Sequence, residues 1–430
     1  MAVRQGCSLD RVFHASSFGP NLSDWGERAL VEIMTCAAEG LTLTVRAAFG
    51  QDAMTPAPVW TDITDDVLEG GVRRGAQFEV DRMEPGGADV TLSNTHGDYW
   101  PGNAGGAHYP HVRPSTRFNI RATYLGTTWD LFTGFVTDWR NAYLGVGGAV
   151  PVARVTLVDA LRFLRGFDLN VDPGYAQEKS GTRIENVLDD MGWPARDRDL
   201  DAGVSEVQAS GALEHKGALE HCDDVLKSER GRLFVTGDGA IRYDDRHARY
   251  KSPLNLSQTT FGDGPDELGY HDVEFEFSDQ LIKNDVRAQR VDGVERTASD
   301  AVSQGVHGKR SRNTSGLLNT DDNEVQDQVN YDVARLKDPH SRVKSITLRP
   351  RRDQAALLAQ ALGRELADRI TLRLDDASVD GPFHIEGISH LFRAGFWETQ
   401  WWVSDGDAES AWVLGVPGFT ELGYTTRLAY

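Results

Sequence analysis

Residues 60–101, WTDITDDVLEGGVRRGAQFEVDRMEPGGADVTLSNTHGDYWP, hold the pattern that decides the fold class of this chain. Two short runs within it alternate apolar and polar residues, one around Phe78 and Val80 and the other around Val90 and Leu92. Residues 84–87, EPGG, lie between the runs, and Pro and Gly in such a position are typical of a turn. The stretch therefore predicts a β-hairpin.

Two further alternating runs follow at 117–125 and 129–139, separated by a Gly-Thr-Thr turn. Every second side chain of a strand points to the same face, so a mostly apolar set at this spacing indicates one buried face. The sets are Phe118, Ile120, Ala122 and Tyr124, and then Trp129, Leu131, Thr133 and Phe135. Together with the alternating residues 41–49, these runs predict a small twisted sheet or barrel.

The order of these signals resembles one family, the tail-tip or baseplate hub proteins of tailed bacteriophages and related gene-transfer particles. The resemblance rests on five pieces: the WTDIT segment that begins at Trp60, the turn at Arg74 and Gly75, the strand 87–94, the aromatic-Pro close at Trp100, and the LFTGFV strand that runs on to Trp139. It implies a mainly β fold with an α+β insert, in which two tail-tube-like β-barrel domains share one chain with smaller decorating domains. It also implies a homotrimer whose paired barrels mimic the tail tube.

Length and composition bound the class of protein. The 430 residues exceed one ordinary core and predict two to four domains, and 40% apolar with 26% charged residues is typical of a soluble globular protein. No run of 18 apolar residues occurs, so we expect no membrane span, and residues 1–20 lack the apolar core of a secretory signal. Assembly in a cytoplasm is therefore expected, and the family resemblance implies that of a host bacterium. The three cysteines, Cys7, Cys36 and Cys222, are widely spaced and predict neither a disulfide framework nor a zinc site.

The net charge of −20, from 65 acidic against 45 basic residues, disfavours specific DNA binding, because each phosphate contact needs a Lys or Arg. It is compatible with DNA passing through a ring whose wall repels phosphate. Solubility alone explains the same charge.

The patterns divide the chain into five segments. We expect an N-terminal arm with a short helix (1–40), a first tube-like barrel (41–165), an α+β insert (166–265), a second tube-like barrel with helices (266–404) and a C-terminal docking tail (405–430). Within the insert, residues 182–193 and 218–229 have helical spacing, and 233–243 predict a hairpin. Residues 296–324 are polar and rich in Gly, Ser and Asn, which predicts a long loop.

An internal repeat supports the two barrels. Arg117 opens a strand that is followed by a strand containing Gly134, and Arg369 opens a strand that is followed by one containing Gly387. Upstream, VTLSN at 90–94 corresponds to ITLRP at 346–350. Three chains with two barrels each would present six similar units to a six-fold tube.

Possible chemical sites are few. His96, Asp98, His108 and His111 are close in sequence, as are His215, His221 and Cys222, and 376–381 mimic the start of a calcium loop. The first group lies in a Gly-rich loop, the two histidines six residues apart do not share a helical face, and the calcium loop lacks its final Glu. No nucleotide-binding, serine-hydrolase or zinc-protease motif occurs. We therefore expect no catalytic residue, no cofactor and no metal site.

The C-terminal tail carries apolar and aromatic residues that a solvated tail does not need. We expect it to dock on another subunit or a partner protein. The interface candidates are Trp412, Val416, Phe419, Tyr424 and Tyr430.

Three functional hypotheses follow. The first is a tail-tip hub, a trimeric ring that joins distal-tail or tail-tube proteins to tail fibres or spikes and lets DNA pass. The second is a hexameric distal-tail ring protein built on one barrel, which the repeat argues against. The third is a carbohydrate-active β-protein with a cleft lined by Trp397, Trp401 and Trp402, although an alternating Trp strand more often belongs to a core or an interface.

Overall fold

The structure is a computed structural model that describes residues 40–77, 83–145, 150–339, 341–350, 354–406, 411–412 and 427–428. It is mainly β: thirteen strands join one large sheet, and the helices are short. This confirms the predicted fold class. The N-terminal arm with its predicted short helix, up to residue 39, and the strand residues Phe78 and Val80 lie outside the described residues. Within them, no helix is long and apolar enough to cross a membrane.

The first unit is antiparallel and encloses the apolar faces predicted from the alternating runs. Its strands are β1 (Thr42–Ala48), β2 (Thr61–Asp62), β3 (Val67–Gly75), β4 (Glu84–Ser93), β5 (Arg117–Tyr124), β6 (Thr127–Leu144) and β7 (Val150–Val158). Phe118, Ile120 and Leu92 are fully buried in its core.

The hairpin predicted in 60–101 exists, but its strands are β3 and β4, and the predicted turn at 84–87 is wrong. Those residues are the first four of β4, and Gly87 pairs with Arg73 on one side and Val158 on the other. Gly86 allows close packing, because a Cβ there would lie 2.9 Å from the Asp159 carboxylate. Pro and Gly therefore mark a crowded strand here, which alternation alone does not distinguish from a turn.

The insert combines small sheets with two amphipathic helices. Its elements are α1 (Leu161–Arg165), β8 (Asp168–Val171), β9 (Glu178–Lys179), α2 (Ser180–Asp190), β10 (Arg198–Leu200), β11 (Glu206–Val207), β12 (Leu213–Gly217), α3 (Ala218–Glu229), β13 (Arg232–Val235) and β14 (Ile241–Asp244). The predicted apolar faces of α2 and α3, which include Ile184, Leu188 and Cys222, meet in one core.

A small domain replaces the predicted loop at 296–324. The elements from 260 to 336 are β15 (Thr260–Gly262), β16 (Asp272–Glu276), β17 (Asp285–Arg290), β18 (Arg296–Ser299), α4 (Ala301–His307), β19 (Ser311–Leu317) and α5 (Asp322–Leu336). β17 pairs with both β18 and β19, and its Val286 and Ala288 pack with α5. The loop prediction was wrong because the exposed face of these strands is built from Ser, Thr and Asn.

The remaining strands and the last helix are β20 (Arg342–Leu348), α6 (Ala355–Gly363), β21 (Arg369–Leu374), β22 (Val379–Arg393), β23 (Phe396–Asp405), β24 (Ala411–Trp412) and β25 (Arg427–Leu428). Four of these strands, β20 to β23, complete the second unit, and the last two pair only with each other. Trp397, Thr399, Trp401 and Val403 form one buried face of β23.

The two units share one strand order. The path of the large sheet is β16-β20-β23-β22-β3-β4-β7-β6-β5-β1-β2, with β21 paired to β22 and β15 to β21. The order β5-β6-β7-β4-β3 of the first unit therefore matches β21-β22-β23-β20-β16 of the second. This match confirms the predicted internal repeat and extends it to five strands.

Two β-bulges fix the register of the repeat. Thr137 is the extra residue of β6 opposite β7, and Glu386 is the extra residue of β22 opposite β23. Counting from the bulges makes Tyr143 the counterpart of Phe392 and Ala142 the counterpart of Leu391. The long strands β6 and β22 thus occupy the same place in the two units.

The register of the repeat tests two predicted matches, that of 90–94 with 346–350 and that of Gly134 with Gly387. In the first unit, Val155 of β7 pairs with Val90 on one side and with Trp139 on the other. In the second unit, Trp401 of β23 pairs in the same way with Ile346 and with Ile388, the counterpart of Trp139. Val90 and Ile346 are therefore counterparts, and the predicted match of 90–94 with 346–350 is correct. The predicted equivalence of Gly134 and Gly387 is wrong, because one precedes its bulge and the other follows it.

Candidate assembly surfaces

An edge-to-edge junction joins the two units within the chain. The first part of β22 pairs with β21, and residues from Gly387 to Arg393 continue on the same edge with β3 as their partner. Phe392 packs tightly at this junction. A Cβ on Gly70 would lie 2.5 Å from the Phe392 ring, and this ring stacks on Trp397 with 5.7 Å between the ring centroids. The junction is therefore a tightly packed continuation of one sheet.

The hairpin tip of the insert holds both units at this junction. Arg74 of β3 forms an ion pair with Glu365 of the second unit at 2.5 Å, and the backbone N–H of Gly237 donates to the other carboxylate oxygen at 3.1 Å. Thr133 of β6 donates its hydroxyl to the Gly237 carbonyl at 3.1 Å. A Cβ on Gly237 would lie 1.9 Å from the carbonyl oxygen of Asp130, so the approach requires glycine.

A buried carboxylate fastens the insert to the second unit. Glu386, the bulge residue of β22, is fully buried and accepts hydrogen bonds from Arg249 at 2.8 Å and Arg232 at 3.5 Å, and from the Ser404 hydroxyl. Burial by itself would raise the pKa of Glu386, but the two guanidinium groups outweigh it and hold that pKa below its usual range. The carboxylate is thus charged in the folded protein.

Two strand edges, at the ends of the path from β16 to β6 in the large sheet, have no partner among the described residues. β6 pairs with β5 only as far as Phe135, so its residues 137–144 have β7 on one side and no strand on the other. β16 pairs with β20 alone. Large apolar side chains are exposed on and beside both edges: Tyr143 (61%), Leu144 (39%), Phe275 (43%) and Phe277 (71%). Unpaired edges of this kind invite pairing with another strand.

One face of the sheet carries balanced charge. The strands from β16 to β6 in the sheet path form a continuous run of eight, and cross-strand neighbours fall into rows on its open face. One row runs Arg140, Arg154, Thr91, Glu69, Arg393, and the next runs Asp138, Thr156, Asp89, Gly71, Leu391, Glu398. A mainly basic row therefore lies beside an acidic one, whereas the whole chain has a net charge of −20.

The additional domains occupy the opposite side of the sheet. The insert contacts Arg74 and Glu386, which are buried side chains of the covered face. The small domain is fastened to the insert by ion pairs of Arg230 with Asp332 and of Arg246 with Glu324. The eight-strand run thus has one covered and one open face.

The side chains predicted for the other hypotheses do not assemble into sites. Trp397, Trp401 and Trp402 are at most 9% exposed, so they do not line an open cleft. His108 stacks on Phe49 with ring centroids 4.1 Å apart, and burial lowers its pKa. His215 lies on β12 and His221 on α3. Among the residues that the structure describes, no group of three or more His, Cys, Asp or Glu side chains is placed to hold a metal ion.

The predicted tail interface falls almost entirely outside the described residues. Val416, Phe419, Tyr424 and Tyr430 are not among them, and Trp412 lies in β24, which pairs in parallel with β25. The strand edges and the charged rows were not predicted. Both features depend on which strands are neighbours in the sheet. The sequence signal that could have revealed these neighbours is the internal repeat, provided that its two β-bulges are aligned.

Two solved tail proteins share the fold. The 43 kDa tail protein of prophage MuSo2 from Shewanella oneidensis matches with a TM-score of 0.55 and 12% identity, over 85% of this chain and 99% of that one. A tail protein from Neisseria meningitidis MC58 matches with a TM-score of 0.54 and 13% identity, over 86% of this chain and 98% of that one. No protein-family model matches the sequence, and no curated protein matches it significantly. At this identity the likeness concerns the fold.

Proposed function

We propose that the protein is a structural virion protein of a phage-type tail: a tail-tip or baseplate hub whose three copies close into a pseudo-six-fold ring. The observation that carries the proposal is the repeat of one strand order in two units that are joined edge to edge. Three chains then present six similar units to a six-fold tube and three-fold symmetry on the other side. The fold shared with a prophage tail protein and with a second tail protein supports the same role.

The open face of the eight-strand run lines the channel of this ring. The insert and the small domain lie on the covered face of the sheet. A closed ring has more room for such domains on its outer surface than in its channel, so the covered face is on the outside of the ring. Along the wall, side chains of opposite charge pair with one another, as Arg140 does with Asp138 at 2.5 Å and Arg349 with Glu398 at 2.5 Å. Such a wall offers no excess of Lys or Arg to hold phosphate, so DNA passes without specific binding.

The ring connects the tail tube and distal tail proteins to the tail fibres or spikes, and it is part of the virion at the tail tip after assembly in the host cytoplasm. The five-segment division, with tube-like units at 41–165 and 266–404, belongs to this proposal. So does the tail 405–430, whose Trp412, Val416, Phe419, Tyr424 and Tyr430 dock on a neighbouring subunit or partner. The work is done by surfaces without catalytic residues.

Native mass spectrometry of the purified full-length chain tests the stoichiometry. The proposal expects a complex of three chains. A complex of six would favour a distal-tail ring protein, and a monomer at all concentrations would contradict a self-assembling hub.

A further inference from the structure

We infer that neighbouring copies join by antiparallel pairing of the second part of β6 with β16, which repeats between chains the junction that β22 and β3 make within one chain. The inference rests on the proposed ring and specifies its interface. The partner is a second copy of this chain.

The strand order identifies these edges. Within the chain, the second part of β22 pairs with β3 after its pairing with β21 ends. The counterparts in the two units are the second part of β6 and β16, and neither has a partner on its outer side among the described residues. Each unit therefore has two equivalent edges. Within the chain, the edge of β22 pairs with the edge of β3, and the equivalent edges of β6 and β16 are left without a described partner strand.

Burial distinguishes the used edge from the unused one. Phe392 is 3% exposed because β3 lies beside it, whereas its counterpart Tyr143 is 61% exposed. On the other edge, Phe275 of β16 and the adjacent Phe277 are exposed as well. Pairing the two edges would cover these aromatic side chains together, as burial of apolar surface favours.

The repeat also predicts the register. Phe392 lies opposite Gly70, and Leu391 lies opposite Gly71. Gly70 and Val273 are counterparts, because they pair with Val90 and Ile346, which are themselves counterparts. The pairs expected between two copies are therefore Tyr143 with Val273, Ala142 with Glu274, and Leu144 with Asp272.

The two junctions differ in one detail. Gly70 lets the Phe392 ring lie over bare backbone, whereas Val273 has a side chain at the same place. The Tyr143 ring must therefore pack beside Val273. Because the two edges belong to different strands, the contact is heterologous, which is the type of contact that the proposed ring requires.

Disulfide trapping tests the register in the full-length chain. The variant carries Ala142→Cys and Glu274→Cys in a background with Cys7→Ser and Cys36→Ser; the third native cysteine, Cys222, is buried. Residues directly opposite each other in an antiparallel pair have Cα atoms about 4.5–5.5 Å apart, within the range that a disulfide spans. Mild oxidation should give a covalent trimer on a non-reducing gel, which reductant returns to monomer.

Two controls keep the outcomes separate. The pair Ala142→Cys with Glu276→Cys is out of register by two residues and should cross-link at least tenfold less, and each single variant should give no trimer. Equal cross-linking of both pairs, or none while native mass spectrometry still shows three chains, would overturn the inferred register but leave the hub proposal standing. Absence of any complex would instead count against the proposed function.

Discussion

Tyr143 and Phe392 occupy the same position in the two units of this chain, yet Tyr143 is 61% exposed and Phe392 is 3% exposed. The difference arises because β3 lies beside Phe392, whereas no described strand pairs with Tyr143 on the side away from β7. A chain built from two similar units should use the same contact again. The exposed tyrosine thus indicates where the next copy binds.

Tyr143→Asp should dissociate the assembly without destabilising the monomer. A charge at a buried interface position loses its hydration, and the apolar contact of about 2 kcal/mol per large side chain is lost as well. The matched control is Val302→Asp on α4, since Val302 is 79% exposed and is not on either edge. Light scattering should show monomers for the first variant and the native complex for the second. Equal behaviour of the two variants would refute the edge contact.

Gly70→Ala should destabilise the fold by about 1–3 kcal/mol, whereas Gly71→Ala should change little. A Cβ on Gly70 would lie 2.5 Å from the buried Phe392 ring, but on Gly71 the nearest atom is the His390 carbonyl oxygen at 3.6 Å. Urea denaturation of both variants measures the difference. If Gly70→Ala is as stable as Gly71→Ala, the tight packing of the internal junction is incorrect.

Glu386→Gln should cost about 3–5 kcal/mol, because Arg232 and Arg249 lose the carboxylate that they surround. The control is Glu398→Gln, whose partner Arg349 is half exposed and for which we expect about 0–1 kcal/mol. Guanidinium or urea denaturation provides both values. Because the pKa of Glu386 is lowered on folding, its contribution is present above the ordinary carboxylate pKa and is lost only as the pH falls through the lowered value.

Asp159 should make stability fall as pH rises. Its carboxylate accepts hydrogen bonds from the backbone N–H groups of Gly86 and Leu161, but burial outweighs them and raises its pKa from 3.8 to about 7. The folded state thus holds a proton that the unfolded state releases, so this contribution is complete below about pH 4 and is lost as the pH rises through about 7. The loss is at most about 1.4 kcal/mol per pH unit.

Melting temperatures between pH 4 and 8 test this slope. Asp159→Asn should reduce the decline relative to the native chain, and the exposed Asp89→Asn should leave it unchanged. An unaltered slope in Asp159→Asn would mean that another group causes the pH dependence.

A chain that ends at Gly406 should remain folded but assemble more weakly. Gly406 still donates its N–H to Pro382, and the paired residues of β23 are retained. Circular dichroism should give an unchanged melting temperature, while native mass spectrometry should show fewer complexes at a given concentration. Loss of folding would contradict the docking role of residues 407–430.

The sequence predicts the strands well where alternation is clear. Phe118 and Ile120 on β5 were assigned to a buried face and are buried, and Trp397 and Trp401 on β23 are buried, which agrees with the core alternative for that strand. It failed at 84–87 and 296–324, because Pro, Gly and short polar residues there belong to strands that are crowded or solvent-exposed on one face. Local composition does not distinguish such strands from turns and loops.

The assembly surfaces depend on pairing across the chain. Gly134 and Gly387 look equivalent in sequence, but the bulges at Thr137 and Glu386 show that they are not. Which edges are left unpaired becomes visible only when β22 is found beside β3. Long-range register of this kind is set by packing and is absent from single-strand patterns.

Electron microscopy of the purified full-length chain, with class averages sorted by symmetry, tests the central claim most directly. We predict three-fold rings with six similar lobes around an open channel. Six-fold rings, or compact particles without a channel, would contradict a trimeric hub built from two repeated units per chain.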